Sequence, residues 1–310
     1  MGKTAFVFAG QGAQKIGMGR ELAENYKVAE EVFNEATEAL GFDIKEMIFE
    51  GDEATLMLTE NTQPAVVTMS IAVLRVLEEA GFKPDVTAGL SLGEYSAHIA
   101  SGTIDFADGV RLVKKRGRYM QEEVPEGVGA MAAILGLGSD EVIECAKRAS
   151  AEGICEPANF NCPGQIVVSG EVKAVERACE IAKEMGAKRA MMLAVSAPFH
   201  CSMLKGAGEK LAKELENVEL GEMKIPVVTN VTADYIADVG EVKELLKMQV
   251  SNSVKWEESV RRMIADGVDT FVEVGPGKAL SGFIKKIDKD VAIYNVEDLQ
   301  SLEKTLEALK

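Results

Sequence analysis

The chain has 310 residues, 47% of them hydrophobic and 27% charged, with a formal net charge of -16 and five cysteines. That length can bury a large core, as one large domain or two unequal ones, and the acidic balance without a long Lys/Arg run excludes a nucleic-acid surface. The absence of any run of about 18 apolar residues and of a basic-then-apolar leader predicts a cytoplasmic protein with no membrane partner, and an odd cysteine count without a C-x-x-C pair argues for reduced thiols and against a disulfide frame or zinc site.

Residues 4–9 (TAFVFA) read as a buried strand that ends in the loop Gly10-Gln11-Gly12. The loop is not a dinucleotide fingerprint, because the third glycine of G-x-G-x-x-G falls on Lys15. It offers backbone N-H groups at the carboxyl edge of a sheet instead. Residues 17–80 are patterned almost wholly as helix, 85–90 as the next strand, and 92–100 and 105–121 as helices, the second capped by Asp105. From 128 to 195 the order becomes strand, helix, strand, strand, helix, strand, which is a ferredoxin-like unit. The expected fold class is therefore α/β. A large α/β-hydrolase-like domain with a mostly parallel sheet (1–125 and 198–310) is interrupted by a ferredoxin-like subdomain (126–197). Beyond the insertion the pattern predicts a helix at 201–215, a strand at 225–229, helices at 241–250 and 256–266, and a strand at 269–274 closed by Gly275-Pro276-Gly277. This last turn is no phosphate loop, since Val272 stands at the first glycine position and Ala279 follows the lysine.

Between the strand at 85–90 and the helix at 92–100 lies Gly89-Leu90-Ser91-Leu92-Gly93. Two readings fit it. In a nucleophile elbow the two glycines relieve a sharp backbone, and the following helix turns its free N-H groups and positive dipole end toward the serine. Alternatively, Ser91 caps a helix between two ordinary glycines. A nucleophilic serine needs a base, usually histidine, and the chain has two. His98 lies seven residues further along the same helix, roughly 10 Å along its axis at about 1.5 Å per residue, so it is structural or exposed. His200, in the Pro-punctuated loop leaving the small subdomain, is the remaining base candidate, or else an ordinary loop histidine. Arg116, within the basic cluster Lys114-Lys115-Arg116 and Arg118, either binds a carboxylate bidentately or belongs to a solvated helix face.

Eight segments occur in order: FVFAGQGAQ at 6–14, TQPA at 62–65, GLSLGEYSA at 89–97, RGRYMQ at 116–121, NFNCPGQIVVSG at 159–170, PFHCSM at 198–203, QVSNSVKW at 249–256 and FVEVGPGKAL at 271–280. With them the chain resembles the malonyl-CoA:acyl-carrier-protein transacylases of fatty acid synthesis along nearly its whole length. The resemblance implies that Ser91, deprotonated by His200, takes malonyl from malonyl-CoA as an ester and passes it to the phosphopantetheine thiol of acyl carrier protein, supplying fatty acid elongation. It further implies an oxyanion hole from the Gln11 and Leu92 N-H groups, Arg116 on the malonyl carboxylate, and the Gln249 main-chain carbonyl orienting His200 in place of an acid. Asn161 would line the pocket, and the bulk of Phe199 would disfavour branched acyl groups. No cofactor or metal is needed, malonyl-CoA being a substrate. Because both substrates carry phosphates, Lys114, Lys115, Lys188, Arg189, Lys285 and Lys286 are the expected docking patch. One departure stands in the central motif: many members read Gly-His-Ser-Leu-Gly where this chain has Leu90. A serine thioesterase or esterase would use the same Ser-His pair but need an acid behind the histidine, and a carrier-docking module would leave the site silent.

Overall fold

The computed structural model describes residues 2–195 and 197–309. Strand β1 (Lys3–Phe8) sends Phe6 and Phe8 into one apolar layer and Ala5 and Val7 into another. A strand buried on both faces belongs to a parallel sheet flanked by helices. Helices α1 (Arg20–Asn25), α2 (Lys27–Leu40), α3 (Ile44–Glu50), α4 (Glu53–Met57) and α5 (Thr59–Glu79) follow. Most of the 21 residues of α5 are buried, as expected for a helix apolar nearly all round. Strand β2 (Val86–Gly89) then leads into α6 (Gly93–Ser101) and α7 (Phe106–Glu123).

The next segment comprises β3 (Gly129–Leu135), α8 (Ser139–Ala149), β4 (Cys155–Cys162), β5 (Gln165–Glu171), α9 (Val172–Glu184) and β6 (Arg189–Met192). Its strands form a separate antiparallel sheet in the order β4-β5-β3-β6, the ferredoxin-like arrangement. Helices α8 and α9 cover one face, around Ile134, Val142, Val168 and Val175. On the other face Met131, Ala133 and Val167 pack with Leu193 and Phe199.

The chain returns through α10 (Lys205–Glu216), β7 (Val227–Val228), α11 (Val242–Gln249), α12 (Trp256–Ala265), β8 (Val268–Val274), α13 (Ala279–Ile287), β9 (Ala292–Val296) and α14 (Leu299–Leu309). The large sheet has the order β7-β2-β1-β8-β9, and every neighbouring pair is parallel. The carboxyl ends of β1, β2 and β8 therefore lie on one edge, where ligands of open α/β sheets bind. That edge carries the Gln11 loop, the Ser91 turn and Gly275-Pro276-Gly277.

Several boundaries differ from the sequence pattern. The strand expected at 225–229 shrinks to Val227–Val228, because Pro226 has no N-H to offer the ladder. The strand expected at 189–195 ends at Met192, and the helix expected from 201 begins with a 3-10 turn at Ser202–Leu204. Edge strand β9, half-buried along most of its length, and α14 carry no pattern strong enough to have been assigned.

Candidate active site

Ser91 joins β2 to α6 at φ 53, a left-handed conformation that costs a non-glycine residue about 1–2 kcal/mol. Gly89 and Gly93 make the turn possible: a Cβ on Gly89 would overlap the Gly93 carbonyl, and one on Gly93 would overlap the carbonyl of Phe8 at the end of β1. The N-cap reading of Ser91 is corrected here. Leu92 holds the N-cap position of α6, and the Ser91 hydroxyl lies 2.6 Å from His200 Nε2. The main-chain N-H groups of Gln11 and Leu92 donate to no acceptor among the described residues.

His200 too is left-handed, at φ 61, and only 3% exposed. Its loop is fastened to β4, for the Ser202 N-H and hydroxyl donate to the Glu156 carboxylate at 2.8 and 2.6 Å. Nδ1 lies 2.8 Å from the Gln249 carbonyl. A carbonyl only accepts, so Nδ1 carries the proton and Nε2 is left to accept from Ser91. Gln249 closes α11, and carbonyls in a last helical turn lack an intrahelical partner. The negative end of that helix also favours a positive charge on the ring. Burial first, and then the charge of Arg116, lower the His200 pKa to about 4, so the ring is neutral at pH 7.

Arg116 projects from α7, whose first turn is capped by the Asp105 carboxylate. A Cβ on Gly117 would come within 2.6 Å of the Thr59 carbonyl, so α7 lies tight against the start of α5. Consequently Arg116 is 1% exposed, which corrects the solvated-face reading. Its Nη1 donates to Gln63 Oε1 at 2.9 Å, and its Nη2 to Gln249 Oε1 at 3.1 Å and Ser91 Oγ at 3.3 Å. Nε has no partner among the described residues. All of these acceptors are neutral, and a buried guanidinium so held binds an anionic ligand strongly. Glu94, fully buried on α6, stands one amide away: its carboxylate accepts from Gln249 Nε2 at 2.7 Å and from the Asn230 N-H at 2.9 Å. Burial pushes its pKa up.

The cleft above this group encloses about 940 Å³ and is lined by Gln11, Ser91, Arg116, Asn161, Phe199 and His200. Leu92 and Gln249 stand behind its wall. Leu90, in the histidine position of related motifs, also faces the cleft. None of the six cations of the expected docking patch lines the cleft itself. Lys115 pairs with Glu214 at 2.5 Å and Lys114 lies 4.6 Å from the Phe42 ring centroid. The lysines that line it are Lys15 and Lys278. His98 is fully buried, and neither ring nitrogen has a partner among the described residues. The residue pattern missed Gln63, Glu94 and Asn230. Only Glu94 carried a signal, as a carboxylate in the first turn of the helix that follows the elbow.

The family model for the acyl transferase domain matches residues 5–300. The chain is 48% identical over 311 residues to the malonyl CoA-acyl carrier protein transacylase of Bacillus subtilis, covering 100% of this chain and 98% of that protein. The crystal structure of the corresponding transacylase from Clostridium perfringens superposes with a TM-score of 0.97 at 51% identity, covering 99% of this chain and 97% of that one. A malonyl-transacylase solved in complex with its type II PKS acyl-carrier protein superposes with a TM-score of 0.96 at 43% identity, covering 99% of each chain.

Proposed function

The chain belongs to the acyl transferase domain family and transfers malonyl from malonyl-CoA to acyl carrier protein; we propose that the malonyl group crosses as an ester on Ser91. Ser91 Oγ attacks the thioester carbonyl while its proton passes to His200 Nε2. The oxyanion is held by the N-H groups of Gln11 and Leu92, each such donor typically giving about 10²–10³ in rate. Collapse breaks the C-S bond, and the coenzyme A thiolate leaves with the proton from His200. In the second half the carrier thiol gives its proton to His200 and attacks the ester carbonyl, and Ser91 regains its hydroxyl as the new thioester forms. Every step uses a group of the chain itself, so no cofactor is required.

The observation that carries this reading is the neutral-partnered guanidinium of Arg116, 3.3 Å from the serine oxygen: a malonyl carboxylate gives it the charged partner it lacks. Gln249 would orient the histidine through its carbonyl, and Asn161 and Phe199 would shape the acyl pocket. The hydrolase alternative needs an acid behind His200, where a main-chain carbonyl stands. We divide the chain into a discontinuous catalytic domain (1–125 and 198–310) and an inserted subdomain (126–197). No described helix is long and apolar enough to cross a membrane, and the five free, buried cysteines support a cytoplasmic setting. Arg116→Ala should slow malonyl loading about 10²-fold or more while leaving acetyl loading within a few-fold, because only malonyl has a carboxylate to lose. Equal losses with malonyl-CoA and acetyl-CoA would overturn the clamp.

A further inference from the structure

Asn230 follows β7, far from the elbow in sequence, and is fully buried. Each of its polar groups is used. Its Oδ1 accepts from the Ser91 N-H at 2.6 Å, and its Nδ2 donates to the Gly89 carbonyl at 2.7 Å. Its main-chain N-H donates to Glu94, and its carbonyl accepts from the Lys255 N-H at 3.0 Å. One side chain thus brackets Leu90, gripping the elbow at the carbonyl before it and the N-H after it. Glu94 in turn accepts from the Gln249 amide, which also donates to the Ser91 carbonyl at 2.9 Å. The peptide groups on both sides of Ser91 are therefore fixed from beneath by Asn230 and Gln249. The Ser91 N-H is consumed by this clamp, and the Leu92 N-H is the donor the elbow leaves free.

We infer that Asn230 is a positioning residue for acyl transfer: by holding the left-handed Ser91 peptide it aims the hydroxyl at His200 and leaves the Leu92 N-H to the reacting carbonyl oxygen. This rests on Ser91 being the nucleophile. Asn230 touches neither Arg116 nor Gln63, so the hold on the malonyl carboxylate is independent of it. An aspartate at this position reproduces both side-chain hydrogen bonds when protonated but loses the donor to Gly89 when ionised, and it would ionise against Glu94.

The test measures malonyl transfer to acyl carrier protein by the full chain carrying Asn230→Ala, Asn230→Asp or Ser91→Ala, and malonyl-CoA binding in the Ser91→Ala background with and without Asn230→Ala. Expected are a fall in kcat of about 10²-fold for Asn230→Ala, the scale of a lost oxyanion donor, and a Kd changed by less than about twofold. The activity of Asn230→Asp relative to the parent should climb as pH falls from 8 to 5. A kcat for Asn230→Ala within about threefold of the parent, or a Kd that weakens in step with kcat, overturns the inference. Should Asn230→Ala not fold, a ratio of Asn230→Asp to parent that stays flat with pH overturns it equally. Malonyl transfer surviving in Ser91→Ala would overturn the nucleophile assignment and this inference with it, whereas full Asn230→Ala activity beside an inactive Ser91→Ala overturns this inference alone.

Discussion

The two histidines of the chain occupy two kinds of interior. Around His98, on α6, burial acts alone: the ring is fully enclosed, has no partner among the described residues, and its pKa is lowered to about 3 by desolvation. Around His200 burial is as severe, yet one ring nitrogen meets a helix-terminal carbonyl and the other a serine hydroxyl, and the pKa is lowered to about 4. Desolvation makes both rings neutral at pH 7. Only the partners assign the proton to one nitrogen and turn the other toward the Ser91 hydroxyl. A depressed histidine pKa is therefore a property of the core in one place and of the site in the other.

That contrast can be broken most sharply by removing each ring. His200→Ala should lower malonyl transfer by about 10²–10⁴-fold, the usual contribution of a general base, while His98→Leu should leave kcat within about twofold, since His98 reaches no reacting group. Comparable losses in both would erase the distinction. Next in size is the acid limb of kcat/KM, read with acetyl-CoA so that the carboxylate does not intervene. In the parent it should fall near pH 4, well below an ordinary histidine. In Arg116→Ala it should move toward neutrality, because a repulsive charge near the imidazolium is gone. A limb that stays put or moves down would show that burial alone sets the base.

The smallest effect concerns stability. Both histidines have folded pKa values below the unfolded value of about 6.5, so between about pH 6.5 and the folded values the unfolded chain binds protons that the native chain does not. Stability is full above that window and falls as pH drops through it, by up to about 1.4 kcal/mol per pH unit for each ring. His98→Leu removes one of the two contributions. Its melting temperature should rise relative to the parent as pH is lowered from 7 to 5, and a difference that is flat with pH would contradict the burial account of His98.

What was legible in the sequence follows from what leaves a mark on residue type. Serine and histidine are the residue types of a nucleophile and its base, which singles out Ser91 and His200, and the glycines flanking Ser91 announce a strained turn. The β-α-β-β-α-β order of the insertion is written in its alternating and helical periods, and the parallel sheet in β1 and β2, apolar on both faces. The roles proposed for Gln11, Leu92 and Gln249 reside in main-chain groups that any residue possesses, so only the resemblance points to them. Asn230 follows a strand of two residues and reaches the elbow only through the fold. Gln63 lies within the TQPA segment at 62–65 but carries no legible task there, for its partner Arg116 becomes visible only when Gly117 lets α7 settle on α5. Within the basic run at 114–118 the burial of Arg116 was illegible for a related reason: clustering in sequence spreads side chains around a helix, and only Arg116 of that run is buried.

The most direct measurement is the intact mass of the chain after brief incubation with malonyl-CoA and no carrier protein. The account predicts one malonyl adduct, located on Ser91, absent in Ser91→Ala and discharged when acyl carrier protein bearing a free thiol is added. An adduct that persists in Ser91→Ala, or malonyl-CoA hydrolysed without a carrier, would contradict transfer through a serine ester.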